Sequence, residues 1–223
     1  PNDYVASDYD ILADSPILAG ADLVSTPFTV GGIQHYWTYL GAAEWAGEKV
    51  VASLTPLIEE HIRFWGGLPY KKYAFLNIVT GGGGGSGVEH LNSVAITTGG
   101  KEPATAQARF RNAAFISHEY FHTWNVKRIR PAAFVPYDLS REALTRLLWA
   151  FEGITSYYDD LMLVRSGVIE REAYLRALER TIGQVVRGPG RLEQSVADSS
   201  FDAWIKFYRP DENTPNAVVS YYT

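Results

Sequence analysis

The chain of 223 residues contains no cysteine and a single methionine. The absence of cysteine excludes a disulfide framework, a thiolate metal site and a cysteine nucleophile, so any metal site must use histidine and carboxylate ligands. No run of about 18 consecutive apolar residues occurs, which excludes a membrane-spanning helix. Basic residues are also few, with 20 Lys and Arg against 25 Asp and Glu, and this balance argues against a nucleic-acid-binding protein.

The N-terminal end lacks two further features. The chain opens on Pro1 rather than Met, and no basic segment followed by an apolar one marks a signal peptide. We therefore expect a piece of a longer protein, whose compartment, cytoplasm or periplasm, the sequence leaves open. The residues present include 46% hydrophobic side chains, which suffices for a sizeable core in one large domain or two small lobes.

The first half of the chain has the composition of β-strands. Residues 28–40 are rich in β-branched and aromatic side chains and predict strand segments with a break at Gly31-Gly32. Residues 73–80 and 88–98 each predict one more strand, and we expect these two to pair or to lie side by side.

Helices are predicted mainly in the second half. Apolar residues recur at steps of three and four in four segments, residues 44–64, 103–124, 138–165 and 170–182. Pro56 implies a kink or a late start in the first of these helices. Residues 187–215 predict an ordered loop with short helical pieces, and a further helix is expected from about residue 216 to the end of the chain.

The strongest chemical signal is the H-E-x-x-H motif formed by His118, Glu119 and His122. Residues at positions i and i+4 project from one face of a helix, so two imidazoles placed in this way can bind one Zn²⁺. Glu119 lies about 100° around the helix, where its carboxylate can take a proton from a metal-bound water without being a ligand. Apolar flanking residues indicate a mostly buried helix, in which unpaired polar groups would be costly.

A catalytic zinc site needs a third protein ligand and one open position. Glu152 is the candidate, because Leu148, Phe151 and Thr155 flank it on the next predicted helix and a buried carboxylate requires a cation. Asp159 and Asp160 are the alternatives. Their later position makes Asp159 better suited to orient a ligating histidine through its second ring nitrogen.

Longer segments around these residues resemble the glycyl aminopeptidase family of zinc metallopeptidases. The run HEYFHTWNVKRIRP at residues 118–131 and the run FEGITSYY at 151–158 carry the resemblance. Further similar segments are residues 14–20, 64–70, 199–204 and 220–223. The family belongs to the gluzincins, which take their third zinc ligand from a glutamate on a following helix, as Glu152 would be.

The resemblance implies an α+β fold, a thermolysin-like metallopeptidase catalytic domain. We expect a small β-sheet lobe at residues 1–102, which carries a substrate-binding edge strand. A mainly helical lobe is expected at residues 103–223, with the zinc site between the two lobes. Together the lobes would form one catalytic domain.

The glycine-rich run at residues 81–87 allows two interpretations. A phosphate-binding loop is excluded, because Val88 and Glu89 follow the run where that motif requires Lys and Ser or Thr. Either the run is a plain turn between strands, or Gly87 and Glu89 belong to a segment similar to the Gly-x-x-Glu segment of gluzincin aminopeptidases. In that segment the backbone aligns the substrate as an added strand and the carboxylate binds the free α-amine. His90, a further candidate for substrate binding, points to the other face of the strand and favours a structural role.

A tetrahedral intermediate needs a hydrogen-bond donor besides the metal ion. In related aminopeptidases a tyrosine on a later helix, in the setting Tyr-x-Lys-Gly, supplies this donor. Tyr222 is the better aligned candidate here and Tyr221 is its alternative, while the Lys-Gly pair would fall beyond Thr223. His35 and His61 show no ligand pattern and are expected in the core or on the surface.

Taken with the resemblance, these residues predict a zinc-dependent aminopeptidase with one Zn²⁺ that removes Gly or Ala from the N-terminus of peptides. The preference for small residues comes from the resemblance alone. Two alternatives are a zinc endopeptidase of thermolysin type and a peptide-binding module without turnover. The expected partner is a peptide substrate, without nucleic acid or a membrane span, and the oligomeric state stays open.

Overall fold

The computed structural model describes residues 3–81 and 85–223 and has an α+β architecture. Five strands form one mixed sheet in the order β1-β2-β3-β5-β4. The strands are β1 Val24–Val30, β2 Ile33–Leu40, β3 Lys72–Thr80, β4 Ser86–Glu89 and β5 Ser93–Gly99. The central pairs β2–β3 and β3–β5 are parallel, whereas β1 and β4 pair antiparallel at the two edges.

The predicted strands are confirmed with one correction. The predicted strand segments at residues 28–40 belong to the hairpin β1–β2, which begins earlier, at Val24. Its turn at Gly31 and Gly32 has φ angles of 59° and 75°, which favour glycine. The prediction of one strand over residues 88–98 is wrong, because a turn separates β4 from β5. His90 N–H donates to Ser93 O at 2.9 Å, and Leu91 N–H donates to the carboxylate of Asp14 at 2.8 Å. The Asp14 carboxylate is remote in sequence from the turn, so no local sequence pattern predicts the turn.

The helices divide between the two halves of the chain. A short α1 at Tyr9–Ala13 and the long α2 at Gly47–Trp65 belong to the first half. The helices of the second half are α3 Ala106–Phe121, α4 Ile154–Arg165, α5 Arg171–Arg187, α6 Gly190–Glu193, α7 Val196–Phe201 and α8 Thr214–Ala217. Pro56 lies inside α2, which ends at Gly66 with a φ angle of 80°. Within the described residues, no helix is both long and apolar enough to cross a bilayer.

Two predicted helices are wrong in part. The segment 138–165 is helical only from Trp149, since the side chain of Asp138 accepts hydrogen bonds from the backbone and hydroxyl of Ser140 in a local turn that competes with a helix. The helix expected from about residue 216 to the end of the chain is also too long, because α8 ends at Ala217. Beyond it the backbone bonds to side chains instead: Val219 N–H donates to the Gln194 side chain, and Val219 O accepts from Ser199 Oγ.

One hydrophobic core joins the sheet to the helices of both halves. It is built around fully buried side chains from β3, α2, α3 and α4, among them Phe75, Ile58, Tyr120 and Met162. His35 and His61 are both buried within this region, as side chains of the core rather than of the motif helix. The core thus holds the C-terminal half of α3 against the sheet, which is the half that carries His118 and His122.

The burial of His61 predicts a pH dependence of stability. Burial lowers its pKa from 6.5 to about 4, against the opposing effect of a hydrogen bond to Leu57 O. Below pH 6.5 the unfolded chain takes up this proton while the folded protein does not, so the free energy of unfolding should fall by about 2 kcal/mol between pH 7.5 and pH 5. In a His61→Leu variant, the free energy of unfolding measured with denaturant should not show this decrease of about 2 kcal/mol. An identical pH dependence in both proteins would contradict the prediction.

Candidate active site

The H-E-x-x-H motif lies on the last turn of α3, with His122 as the residue that caps the helix. The rings of His118 and His122 lie nearly perpendicular, with their centroids 4.6 Å apart. Glu152 faces them, and its Oε2 lies 3.0 Å from His118 Nε2 and 3.3 Å from His122 Nε2. The structure therefore brings together the three predicted metal ligands, whose ligand atoms all lie within 4.8 Å of one another.

Both histidines are oriented through their other ring nitrogen. His118 Nδ1 donates to Asp159 Oδ2 at 2.9 Å, and His122 Nδ1 donates to the backbone carbonyl of Asn125 at 2.8 Å. Because carbonyl and carboxylate oxygens only accept, each Nδ1 carries a proton, and each Nε2 is turned towards Glu152. Two such nitrogens and one carboxylate oxygen fit the ligand set of a metal ion such as Zn²⁺.

Glu152 lies in a π-helical turn, Trp149–Gly153, that precedes α4. The wider turn bonds Ile154 N–H to Trp149 O and leaves other carbonyls to find partners. Asn125 Nδ2 donates to Ala150 O at 3.0 Å and lies 3.1 Å from Thr155 Oγ1. Asn125 therefore supports Glu152 with its side chain and His122 with its backbone.

Two carboxylates of the site have opposite acid–base properties. Burial disfavours the charge of Glu152, but hydrogen bonds with His118 and His122 outweigh this and hold its pKa at about 2. Burial raises the pKa of Glu119 to about 7, although both histidines oppose the rise. Glu152 is consequently a permanent anion, whereas Glu119 can take up and release a proton near neutral pH.

The edge strand β4 lies directly beside the motif. A Cβ atom on Gly87 would overlap the Glu119 carboxylate and lie 2.7 Å from its Cγ, so only glycine allows this close approach. Glu89 lies at the other end of β4, and its carboxylate groups with Glu119 and His122 within 4.8 Å. The strand follows β5 as the last in the sheet order, so its outer edge faces no other described strand.

His90 is placed away from this group. Its Nδ1 lies 3.3 Å from Asp14 Oδ1, and the same oxygen accepts from Lys127 Nζ at 2.6 Å. Burial opposes the charge of Asp14, but the hydrogen bonds from His90, Lys127 and Leu91 hold its pKa at about 2. His90 and Lys127 thus contact the same carboxylate, that of Asp14, which connects the β4–β5 turn to the segment after α3.

Tyr222 lines the cavity of the site, in a turn at the end of the chain rather than on a helix. Its ring centroid is 6.0 Å from that of His118, and its hydroxyl lies 3.0 Å from the hydroxyl of Tyr208. Burial and the charge of Glu152 raise the pKa of Tyr222, so its phenol stays protonated and can donate. Tyr221 is only 1% exposed, packs against Phe207 and does not line the cavity.

The cavity has a volume of about 950 Å³ and contains residues that the sequence patterns did not single out. Tyr208, Arg111 and Arg180 line it, and Asn125 supports it from behind. Among 14 tyrosines no pattern marks Tyr208. Asn125 lies inside the run that resembles the glycyl aminopeptidases, and that run is the one signal that could have drawn attention to it.

Comparisons with known proteins bear on the family and the fold. Residues 111–223 match the family model described as M61 glycyl aminopeptidase. A crystal structure of an aminopeptidase N family protein from Idiomarina loihiensis superposes with a TM-score of 0.90 at 39% sequence identity, over 97% of this chain and 38% of that one. No curated protein sequence matches.

The α+β fold and the matches relate the chain to a family of peptidases. More narrowly, it belongs to the M61 glycyl aminopeptidase family. The chain spans 38% of the length of the solved relative.

The close contact of β4 with Glu119 can be tested by adding one methyl group. A Gly87→Ala substitution should displace the Glu119 carboxylate and lower peptidase kcat at least tenfold, while the melting temperature changes by only a few degrees. Gly81→Ala is the matched control from the same glycine run, because a Cβ there has no neighbour within 4 Å among the residues that the structure describes. Equal activity of the two variants would show that the contact is unimportant.

Proposed function

We propose that the protein is a zinc-dependent aminopeptidase of the gluzincin type, in which His118, His122 and Glu152 bind one Zn²⁺. The observation that carries this proposal is the convergence of two imidazole nitrogens and one carboxylate oxygen, all within 4.8 Å. The set lacks thiolate and leaves room for a fourth ligand, as in catalytic zinc sites. When bound, the ion would supply a water of lowered pKa and polarise the scissile carbonyl.

Glu119 acts as the general base and then as the acid. Its pKa of about 7 allows it to accept a proton from the attacking water and to pass it to the leaving amine. Tyr222 donates a hydrogen bond from its phenolic hydroxyl to the oxyanion. Its raised pKa keeps the phenol protonated at any working pH, and the hydroxyl of Tyr208, 3.0 Å away, orients it.

Glu89 and Gly87 select the N-terminal end of the peptide substrate. The outer edge of β4, which pairs with no other described strand, aligns the peptide as an added strand. Gly87 lets the peptide approach Glu119, and the Glu89 carboxylate binds the free α-amine. His90 acts indirectly, by anchoring the end of β4 to Asp14. The family description supports a preference for N-terminal Gly, with Ala as the next smallest residue.

We further propose a thermolysin-like arrangement in which residues 1–102 and 103–223 are two lobes of one catalytic domain. The substrate-binding residues Gly87 and Glu89 come from the first lobe, and the metal ligands and Tyr222 come from the second. Contacts between β4 and α3, together with the core that both lobes share, support this division of labour.

Replacement of Glu119 separates metal binding from chemistry. In Glu119→Gln, metal analysis should still find one Zn²⁺ per chain, while hydrolysis of Gly and Ala arylamides should fall by about 10²–10⁴-fold, since only the proton acceptor is lost. Glu59→Gln, an exposed position on α2, serves as the control. Undiminished turnover in Glu119→Gln would refute the mechanism, and lost zinc would make Glu119 a ligand instead.

Acetylation of the substrate tests the role of Glu89. The parent protein should cleave peptides with a free N-terminal glycine at least tenfold faster than their N-acetylated forms, and Glu89→Gln should remove most of that difference, because the carboxylate that pairs with the ammonium is gone. Equal rates for both substrates in the parent protein would favour a thermolysin-type endopeptidase. Protein without zinc and without turnover would favour a peptide-binding module.

A further inference from the structure

The carboxylate of Glu89 depends on its backbone for its place in the site. Within the described residues it forms no hydrogen bond and no ion pair, although it lies within 4.8 Å of ligand atoms of Glu119 and His122. Glu89 is the last residue of β4, a strand of four residues that pairs with β5. The turn that follows, at residues 90–92, therefore decides how firmly this carboxylate is held.

Leu91, two residues beyond Glu89, is held at both polar groups of its backbone. Its N–H donates to Asp14 Oδ2 at 2.8 Å, and its carbonyl accepts from Arg128 Nη1 at 2.9 Å. Both partners are charged, and hydrogen bonds with a charged partner are the stronger kind. Asp14 and Arg128 come from distant parts of the chain, so tertiary contacts fix this turn.

The same two charged groups are joined to the end of the motif helix. Lys127 Nζ donates to Asp14 Oδ1 at 2.6 Å, and the backbone N–H of Lys127 donates to His122 O at 3.1 Å. Arg128 Nη1 also donates to Thr123 O at 2.6 Å. A continuous series of hydrogen bonds thus runs from the β4–β5 turn to His122, whose imidazole is a proposed metal ligand.

Water has little access to the ion pair in this series. The side chains of Asp14 and Lys127 are only 17% and 13% exposed. Dissolved salt screens a partly buried pair much less than a surface pair. The pair can therefore hold the turn in one position relative to the end of α3.

We propose that Asp14 and Arg128 are positioning residues for Glu89. By binding the backbone of Leu91, they hold the Glu89 carboxylate at a fixed distance from the metal ligands. That distance sets which peptide bond of an amine-bound substrate reaches the metal ligands, and misplacement by about 1 Å is enough to weaken productive binding. The inference rests on the proposed aminopeptidase function, which supplies the ammonium group that Glu89 binds.

Replacement of Asp14 should change the choice between free and N-acetylated substrates. In Asp14→Ala the ratio of kcat/KM for Gly-Ala-Ala to that for acetyl-Gly-Ala-Ala should fall by about fivefold, close to the effect of one solvent-accessible charge pair. The fall should come mainly from a higher KM for the free peptide, because only this peptide has an ammonium group. A contact that only stabilises the fold would lower both rates alike, so an unchanged ratio overturns the proposal.

Two further variants show whether Asp14 acts through Glu89. Added to Glu89→Gln, the Asp14→Ala substitution should change the ratio by less than about twofold, since two residues that act on one contact are not additive. A further fivefold fall there would overturn the proposal. Glu102→Ala is the matched control, because it also removes a carboxylate paired with a lysine, Lys49, at 2.9 Å, but outside the cavity. It should keep the parent ratio, and a fall equal to that in Asp14→Ala would also overturn the proposal.

Arg128→Lys tests the other bond to Leu91, and it replaces Asp14→Ala if that variant does not fold. A lysine keeps the charge, but it lacks the guanidinium fork that reaches Leu91 O at 2.9 Å and Pro69 O at 3.0 Å. We expect one Zn²⁺ per chain and a lowered ratio for the free peptide. The parent ratio in a folded Arg128→Lys protein would overturn the proposal.

A binding measurement reads the same contact without turnover. Calorimetry of Glu119→Gln with Gly-Ala-Ala should show an affinity about fivefold higher than that of Asp14→Ala/Glu119→Gln, while the acetylated peptide should bind both proteins equally. If the parent protein and Glu119→Gln do not distinguish the two peptides, the amine contact is absent and the proposed function fails together with this inference. If they do distinguish the peptides and Asp14→Ala keeps the distinction, the aminopeptidase stands and only the positioning role is overturned.

Discussion

The arrangement of the site depends on one carboxylate held between two imidazoles. Glu152 reaches His118 and His122 from a different helical segment, across the contact between α3 and α4. Polar groups that are buried, as His122 is, or partly buried, as His118 and Glu152 are, stay together only when each has hydrogen-bond partners, and Asp159 and Asn125 supply them to the two histidines. The π-helical turn is the local consequence, since it turns Glu152 inward and leaves carbonyls that Asn125 satisfies.

A second constraint is the close approach of the edge strand to the motif helix. Because Gly87 has no side chain, the backbone of β4 lies in direct contact with the Glu119 side chain. The edge of β4 and the motif helix therefore border the same cavity, which is also lined by the proposed metal ligands His118, His122 and Glu152.

Local sequence patterns predict several residues of the candidate site. The spacing of His118 and His122 requires a helix to place both rings on one face, and α3 supplies that helix. The apolar flanks of Glu152 indicated a buried carboxylate that needs a cation, and the structure brings it to both histidines. The helix and the candidate ligands could be predicted because helix periodicity and the cost of buried charge are properties of short segments.

The sequence by itself determined the motif helix, the glycine turn of β1–β2 and the identity of the groups that could bind a metal. Only the tertiary structure decided how β4 ends, where the helix at Glu152 begins and which tyrosine reaches the cavity. In each case the deciding partner is remote in sequence: the Asp14 carboxylate bonds Leu91 N–H, Ser200 Oγ accepts from Trp149 N–H, and Gln194 holds the strand-like segment before Tyr222. Backbone N–H and C=O groups form hydrogen bonds with whichever partner is available. The periodicity of a short segment does not reveal a partner that is remote in sequence.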